Sequence, residues 1–253
     1  MPVRLSLVLP TLILAILAAT PAAAQTKKSD VDLQLILAVD ASGSVSQSRF
    51  QLQKEGYATA FRNPKVLQSI REGMAQAIAV TMYQWTGQFL QARVVPWMIV
   101  KDEATATALA DAIEHTGREL YGGGTSISGA IDFGMGLWVT SPFQSARRTI
   151  DVSGDGSNNS GRDVRAARDE AVKAGVSING LPIVSIEPDL DRYYFDNVIG
   201  GPGSFMVPAK NYESFGDAVL KKLITEIATN ERIGMRLSAL LPKAKDKRTG
   251  RPR

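Results

Sequence analysis

Three polar segments that lie far apart in the chain carry side chains able to share one cation: Asp40-Ala41-Ser42-Gly43-Ser44, Gly122-Gly123-Gly124-Thr125 and Ser153-Gly154-Asp155-Gly156. Asp40 and Asp155 balance a divalent charge. The hydroxyls of Ser42, Ser44 and Thr125 add oxygen donors without over-neutralising it, a set that suits magnesium, manganese or calcium. The chain has one histidine, His115, and no cysteine, so the nitrogen and sulfur clusters that usually hold zinc or copper cannot be assembled.

Each segment also has a plainer reading. Ser44 with Gln47 fits a capping box, so Ser42 and Ser44 could simply start a helix. Thr125 or Ser126 could cap the helix that follows. The run Gly122–Gly124 could cradle a phosphate, although it lacks the lysine of a P-loop. None of these readings explains the three segments together.

A shared site needs elements that deliver the segments to one edge. Leu33 to Val39 is a nearly continuous apolar run of strand length, as expected for a strand covered on both faces, and it ends at Asp40. In extended chain, positions i, i+2 and i+4 share a face, so Asp40, Ser42 and Ser44 can point at one locus as the strand ends. The pattern then predicts a helix from Ser46 to about Phe61, a shorter one over Val66 to Gly73, and strands at Ala75 to Trp85 and Ala92 to Val100 joined as a hairpin. Pro96 cannot donate to a ladder and puts the second of these strands at a sheet edge. Helices over Glu103 to His115, Ser126 to Trp138 and Asp163 to Ala174 alternate with strands at Arg148 to Ser153 and Ser177 to Val184. A short helix over Asp189 to Val198, a last strand at Ser204 to Pro208 and an amphipathic helix from Tyr212 to about Ala228, extending toward Leu241, close the pattern. The fold class is α/β, a Rossmann-like doubly wound sheet, mostly parallel with one antiparallel edge strand and helices on both faces. Such sheets bind ligands outside the carboxyl ends of their strands, the edge to which Asp40 and Asp155 both belong.

At these residues the chain resembles the von Willebrand factor type A (VWA) domain family, whose metal-ion-dependent adhesion site is built from D-x-S-x-S, a later Thr and a later Asp-Gly. Asp40, Ser42 and Ser44 match the first part, Thr125 the second and Asp155 the third; the likeness in motif and element order covers roughly Asp32 to Ala228 and is nearest to secreted bacterial members. The resemblance implies that the first and fourth strands are neighbours at the topological switch point. It also implies that Ser42, Ser44 and Thr125 touch the metal directly, that Asp40 and Asp155 act through water, and that a partner's carboxylate completes the coordination. One departure is Gly154, where the family often has Thr or Ser before the Asp-Gly, which puts a further hydroxyl contact from that position in doubt.

Arg4, the apolar stretch Leu5 to Ala19 and Pro21-Ala22-Ala23-Ala24 before Gln25 have the layout of a cleaved secretory signal over residues 1–24. Residues 25–31 read as a polar leader, 32–241 as the domain with its C-terminal helix, and 242–253 as a disordered basic tail. With no cysteine to carry lipid or a disulfide, the expectation is a periplasmic or secreted protein that is not a lipoprotein. The formal charge of +4 is unevenly placed: six basic residues against Asp246 between Lys243 and Arg253, together with Arg4, outweigh it and leave residues 25–242 at −2. A basic nucleic-acid-binding face is therefore not expected. The tail is either solvated or a weak contact for an anionic membrane surface.

Two further functions compete with adhesion. A metal-assisted hydrolase or phosphotransferase would use the same cation, but a D-x-D phosphoryl acceptor would need an acid where Ser42 stands, no G-x-S-x-G elbow is present, and His115 is the sole histidine base. A structural envelope protein with a vestigial site is the other. The reading carried forward is a non-catalytic, secreted, divalent-metal-dependent module that binds another envelope or secreted protein through an acidic residue.

Overall fold

The computed structural model describes residues 28–228. The expected signal at 1–24, the start of the leader, the extension of the last helix toward Leu241 and the basic tail lie outside them. The elements in chain order are β1 (Ser29–Asp30), β2 (Leu33–Asp40), α1 (Gln47–Arg62), α2 (Pro64–Arg71), β3 (Ile78–Trp85), β4 (Gln91–Val100), α3 (Glu103–Glu114), α4 (Ile127–Leu137), β5 (Phe143–Gln144), β6 (Arg148–Gly154), α5 (Val164–Lys173), β7 (Ser177–Pro182), α6 (Leu190–Tyr193) and α7 (Phe215–Ala228).

The main sheet has the order β4-β3-β2-β6-β7, with β4 antiparallel to β3 and every other pairing parallel. All eight residues of β2 are buried, which accounts for its unbroken apolar run. Leu33, Leu35, Leu37 and Val39 pack with Tyr57, Phe61, Phe215 and Leu223 of α1 and α7, while Ile36 and Ala38 face Ile127, Ile131 and Val152 on the other side. Each such Leu, Ile, Val or Phe side chain stabilises the fold by roughly 1.5–3 kcal/mol relative to exposure. The expected leader is ordered at its end, where Ser29 and Asp30 pair in parallel with Phe143 and Gln144.

Pro96 lies on the edge strand. The β3–β4 register slips between the pairs Val80–Met98 and Met82–Val95, and Thr81 Oγ1 donates to Val95 O at 2.7 Å inside that irregularity. The chain thus bulges where proline has no N–H to give. The expected strand at Ser204–Pro208 does not form a full ladder: only isolated bridges join Met206 to Gly180 and Ala209 to Ile183. Gly201, Pro202 and Gly203 precede it and Pro208 interrupts it, so few successive N–H groups remain to pair. Asp189–Val198 is helical as expected, but as one turn, α6, followed by a π-helical turn over Tyr194–Val198.

α1 and α7 cross at two glycines. A Cβ built on Gly56 would stand 2.9 Å from Phe215 Cδ1 and 3.1 Å from Gly216 Cα, so the helices approach backbone to backbone there.

Candidate metal centre

β2 lies between β3 and β6, so the strand order reverses beside it, and the crevice of a doubly wound sheet opens at the carboxyl ends of β2 and β6. Asp40 ends β2 and Asp155 follows β6; both are buried. Asp40 Oδ1 accepts from Ser42 N at 2.7 Å and its Oδ2 accepts from Asp155 N at 3.3 Å, which ties the two strand ends to one carboxylate. Asp155 Oδ1 accepts from Ser44 Oγ at 2.5 Å, and the Ser42 and Ser44 hydroxyls lie 3.2 Å apart. Four of the five expected ligand residues therefore form one hydrogen-bonded group.

Thr125 reaches the group along a separate route. Gly122 and Gly123 adopt left-handed φ values of 72° and 87°, which turn the loop back toward the sheet. A Cβ on Gly43 would lie 3.5 Å from Gly123 O, and one on Gly156 would lie 3.7 Å from Thr125 Oγ1, so the glycine loop packs against both other segments. Asn159 clamps Thr125: its Oδ1 accepts from Thr125 N at 2.8 Å and its N–H donates to Thr125 O at 2.9 Å. Asn158 Oδ1 accepts from Ser128 N at 3.0 Å at the start of α4. The formal glycosylation sequon Asn158-Asn159-Ser160 is thus bound into the loop that holds Thr125.

The capping alternatives come out differently at the two helices: Ser44 does not cap α1, whereas Ser126, one of the two residues expected to cap α4, does. α1 is capped by Ser46, which accepts from Arg49 N at 3.3 Å, and α4 by Ser126, which accepts from Gly129 N at 3.1 Å. Ser42, Ser44 and Thr125 are left out of helix capping.

Electrostatically the pair of acids is uncompensated. Burial, then the charge of Asp155, pushes Asp40 up to about 7 against the bonds from Ser42 and Asp155 N that favour its ionised form. Among the described residues neither acid is ion-paired to a lysine or arginine. Nor, among them, does any group of three His, Cys, Asp or Glu cluster for a metal. What remains is two carboxylates and three hydroxyls short of positive charge, a donor set that fits a hard divalent cation.

Gly154 has a local cause. A Cβ there would meet Asp40 Oδ2 at 3.0 Å, Tyr194 OH at 3.0 Å and Trp85 Cζ2 at 3.1 Å. The buried Trp85 and Tyr194 fill the space that a Ser or Thr side chain would need. Three supporting residues were not singled out from sequence. Tyr212 OH donates to Asp155 Oδ2 at 2.7 Å, Gln53 Nε2 donates to Asp40 O at 3.1 Å, and Arg118 donates to Ala41 O and Ser42 O at 2.9 and 3.2 Å. None has a local signature; each comes from a different element and meets the site only through the fold. His115 lies elsewhere, as the exposed C-cap of α3.

Solved structures share this architecture. Proximal thread matrix protein 1 from the mussel byssus superposes with a TM-score of 0.56 at 14% identity, over 79% of this chain and 49% of its own. One of its structures is described as having a zinc-occupied MIDAS motif, with a TM-score of 0.54 at 14% identity over the same shares. The vWF domain of the type V pili tip protein Mfa5 from Porphyromonas gingivalis aligns with a TM-score of 0.52 at 10% identity, over 79% of this chain and 97% of that domain. The chain spans about half the length of the mussel protein. At such identities the likeness shows the fold. No curated protein sequence matches the chain. The molecule has the von Willebrand factor type A fold, and, with residues 30–231 matched, it belongs to the family described as Protein of unknown function (DUF1194).

Proposed function

We propose that this protein is a non-catalytic binding module that captures another envelope or secreted protein in a divalent-cation-dependent way. One observation carries the reading: Asp40, Ser42, Ser44 and Asp155 form a single bonded group at the strand switch point, with Thr125 packed against it across Gly156 and no protein cation to neutralise the two acids among the described residues. In this reading Ser42, Ser44 and Thr125 contact the cation, and Asp40 and Asp155 support it through water. The bound ion supplies a Lewis-acidic position for an anionic group of the partner. Tyr212 and Gln53 hold the two acids in place, and Asn159 holds the threonine. Magnesium or manganese suits the all-oxygen donors best; the zinc in the mussel protein's MIDAS motif makes zinc a necessary arm of the test.

The same reading includes cleavage after residue 24 and export of the chain. It assigns no reaction, because the site brings hydroxyls and two acids together without a histidine base or an activated nucleophile.

Calorimetric titration with magnesium, manganese, calcium and zinc tests the ion, and pull-down from an envelope fraction with and without chelator tests the partner. Asp40→Ala is expected to abolish both signals while leaving the far-UV circular dichroism unchanged. Capture that survives chelation and Asp40→Ala would sink the proposal.

A further inference from the structure

Two arginine–tyrosine pairs flank the crevice, and the cation reading uses neither guanidinium. Arg118 is pinned to Ala41 O and Ser42 O on one side of the D-x-S-x-S turn, and its guanidinium lies 5.0 Å from the centre of the Tyr121 ring. Arg49 donates to Ser44 O at 2.8 Å on the other side and lies 5.2 Å from the centre of the Tyr212 ring, the same tyrosine that holds Asp155. Both side chains are half-buried. Among the described residues Arg49 and Arg118 form no ion pair, as Arg71, Arg93, Arg147 and Arg148 also do not; what sets the two apart is their place at the D-x-S-x-S turn. They are a local positive rim on a segment, residues 25–242, whose net charge is −2.

A guanidinium fixed by backbone carbonyls and an aromatic face has given up much of its rotamer freedom before any ligand arrives; Arg49, held through Nη1, keeps its Nε–Nη2 fork for a carboxylate, and Arg118, whose Nε also donates to Leu120 O at 2.9 Å, keeps the two Nη1 hydrogens. Beside the Arg118 pair lies an apolar shelf. Tyr121 is 71% exposed, Phe89 84% and Leu90 50%. Leu90 Cδ1 stands 3.5 Å from a Cβ built on Gly123, so the shelf borders the loop that carries Thr125. Metal face, cationic rim and apolar shelf are contiguous, and their charge and polarity define the complement.

We propose that the crevice takes an acidic segment of a partner protein rather than a lone carboxylate. One acidic side chain meets the cation, a contact that rests on the function proposed above; neighbouring acidic side chains pair with Arg49 and Arg118; an apolar side chain of the segment lies on Phe89, Leu90 and Tyr121.

Fluorescence anisotropy on the full-length protein with labelled synthetic peptides tests this. The probes are a glycine–serine peptide with one aspartate, the same peptide with three acidic residues, and the three-acid peptide with a flanking leucine. In magnesium buffer the three-acid peptide is expected to bind about tenfold tighter than the one-acid peptide, with a steeper salt dependence. Arg49→Gln and Arg118→Gln should each remove most of that difference; because both side chains also brace the D-x-S-x-S turn, each variant is read as the ratio of its three-acid to its one-acid affinity in the same magnesium buffer, which a change at the cation alone leaves intact. Leu90→Ser should remove the gain from leucine. Equal binding of the one-acid and three-acid peptides, or three-acid binding unchanged in both arginine variants, overturns the proposal. So does arginine-dependent binding to phosphatidylserine vesicles in place of the peptides. Failure of the cation reading looks different: magnesium gives no calorimetric signal, yet arginine-dependent peptide binding persists in chelator and still supports the rim.

Discussion

Asp151, in the middle of β6, and Asp155, just past its carboxyl end, stand four positions apart, both about 1% exposed, and the molecule surrounds them differently. Asp151 is closed from within. Lys222 Nζ of α7, fully buried, lies 2.8 Å from Asp151 Oδ1 and 3.1 Å from Glu226 Oε2, and Asn179 Nδ2 donates to Glu226 Oε1 at 2.9 Å. Burial pushes Asp151 up to about 6 even as Lys222 pulls it down; burial would lower Lys222, but Asp151 and Glu226 outweigh it and raise it. Asp155 and its partner Asp40 receive hydroxyls, amides and one phenol, and, among the described residues, no ion pair. In the function proposed above, charge compensation is a permanent part of the fold inside β6 and is left to an exchangeable ion just beyond its carboxyl end.

Lys222→Met breaks the comparison at its closed end. Two buried acids lose the lysine that pairs with both, and denaturant unfolding should show a loss of about 3–5 kcal/mol that magnesium does not restore. Asp40→Asn is the matched change at the open end. It should leave the metal-free protein as stable as before, or more so, and remove the thermal shift that magnesium gives the parent.

Gly154→Thr asks whether the crevice tolerates one more hydroxyl. Because Trp85, Tyr194 and Asp40 Oδ2 occupy the space, the expected result is a loss of about 1–3 kcal/mol in unfolding free energy with no gain in magnesium affinity. Tighter magnesium binding at unchanged stability would show that the pocket yields.

The smallest effect is a pH dependence. Asp40 is pushed from the ordinary 3.8 up to about 7, so without metal the folded chain holds a proton that the unfolded chain releases near pH 4. Its contribution to stability is present below pH 4, declines as pH rises toward 7 and levels off above it. A cation needs the ionised carboxylate and competes with that proton. Magnesium affinity should therefore weaken about tenfold for each unit below pH 7 and stay flat above pH 8, as read by titration calorimetry.

Much of this arrangement was legible in the sequence because it is local. The run Leu33–Val39 reports burial on both faces, Pro96 reports an edge, and D-x-S-x-S at a strand end reports a shared locus. What was missed is long-range or depends on a choice between neighbours. Ser44 and Ser46 look equally suited to capping α1, and only the turn at Ser42–Val45 decides for Ser46. Tyr212, Gln53 and Arg118 carry no spacing that points to Asp155, Asp40 or the turn. The buried cluster did leave a trace: Lys222 and Glu226 fall on the same inward stripe of α7 as Phe215, Val219 and Leu223, and charged residues on such a stripe need partners. Met206 and Ala209 show the converse failure, where a strand-like composition is cut short by the glycines and prolines around it.

The crossing of α1 and α7 at Gly56 and Gly216 gives the crevice a mechanical datum. With the two backbones in contact, the separation of the helices is set by atoms that have no rotamers to adjust, and Tyr212 sits on the approach to α7 just before that contact. The reach of its hydroxyl to Asp155 is therefore gauged at a helix crossing on the flank of the domain. A single methyl group added at Gly56 would be registered as a displaced phenol at the carboxylate.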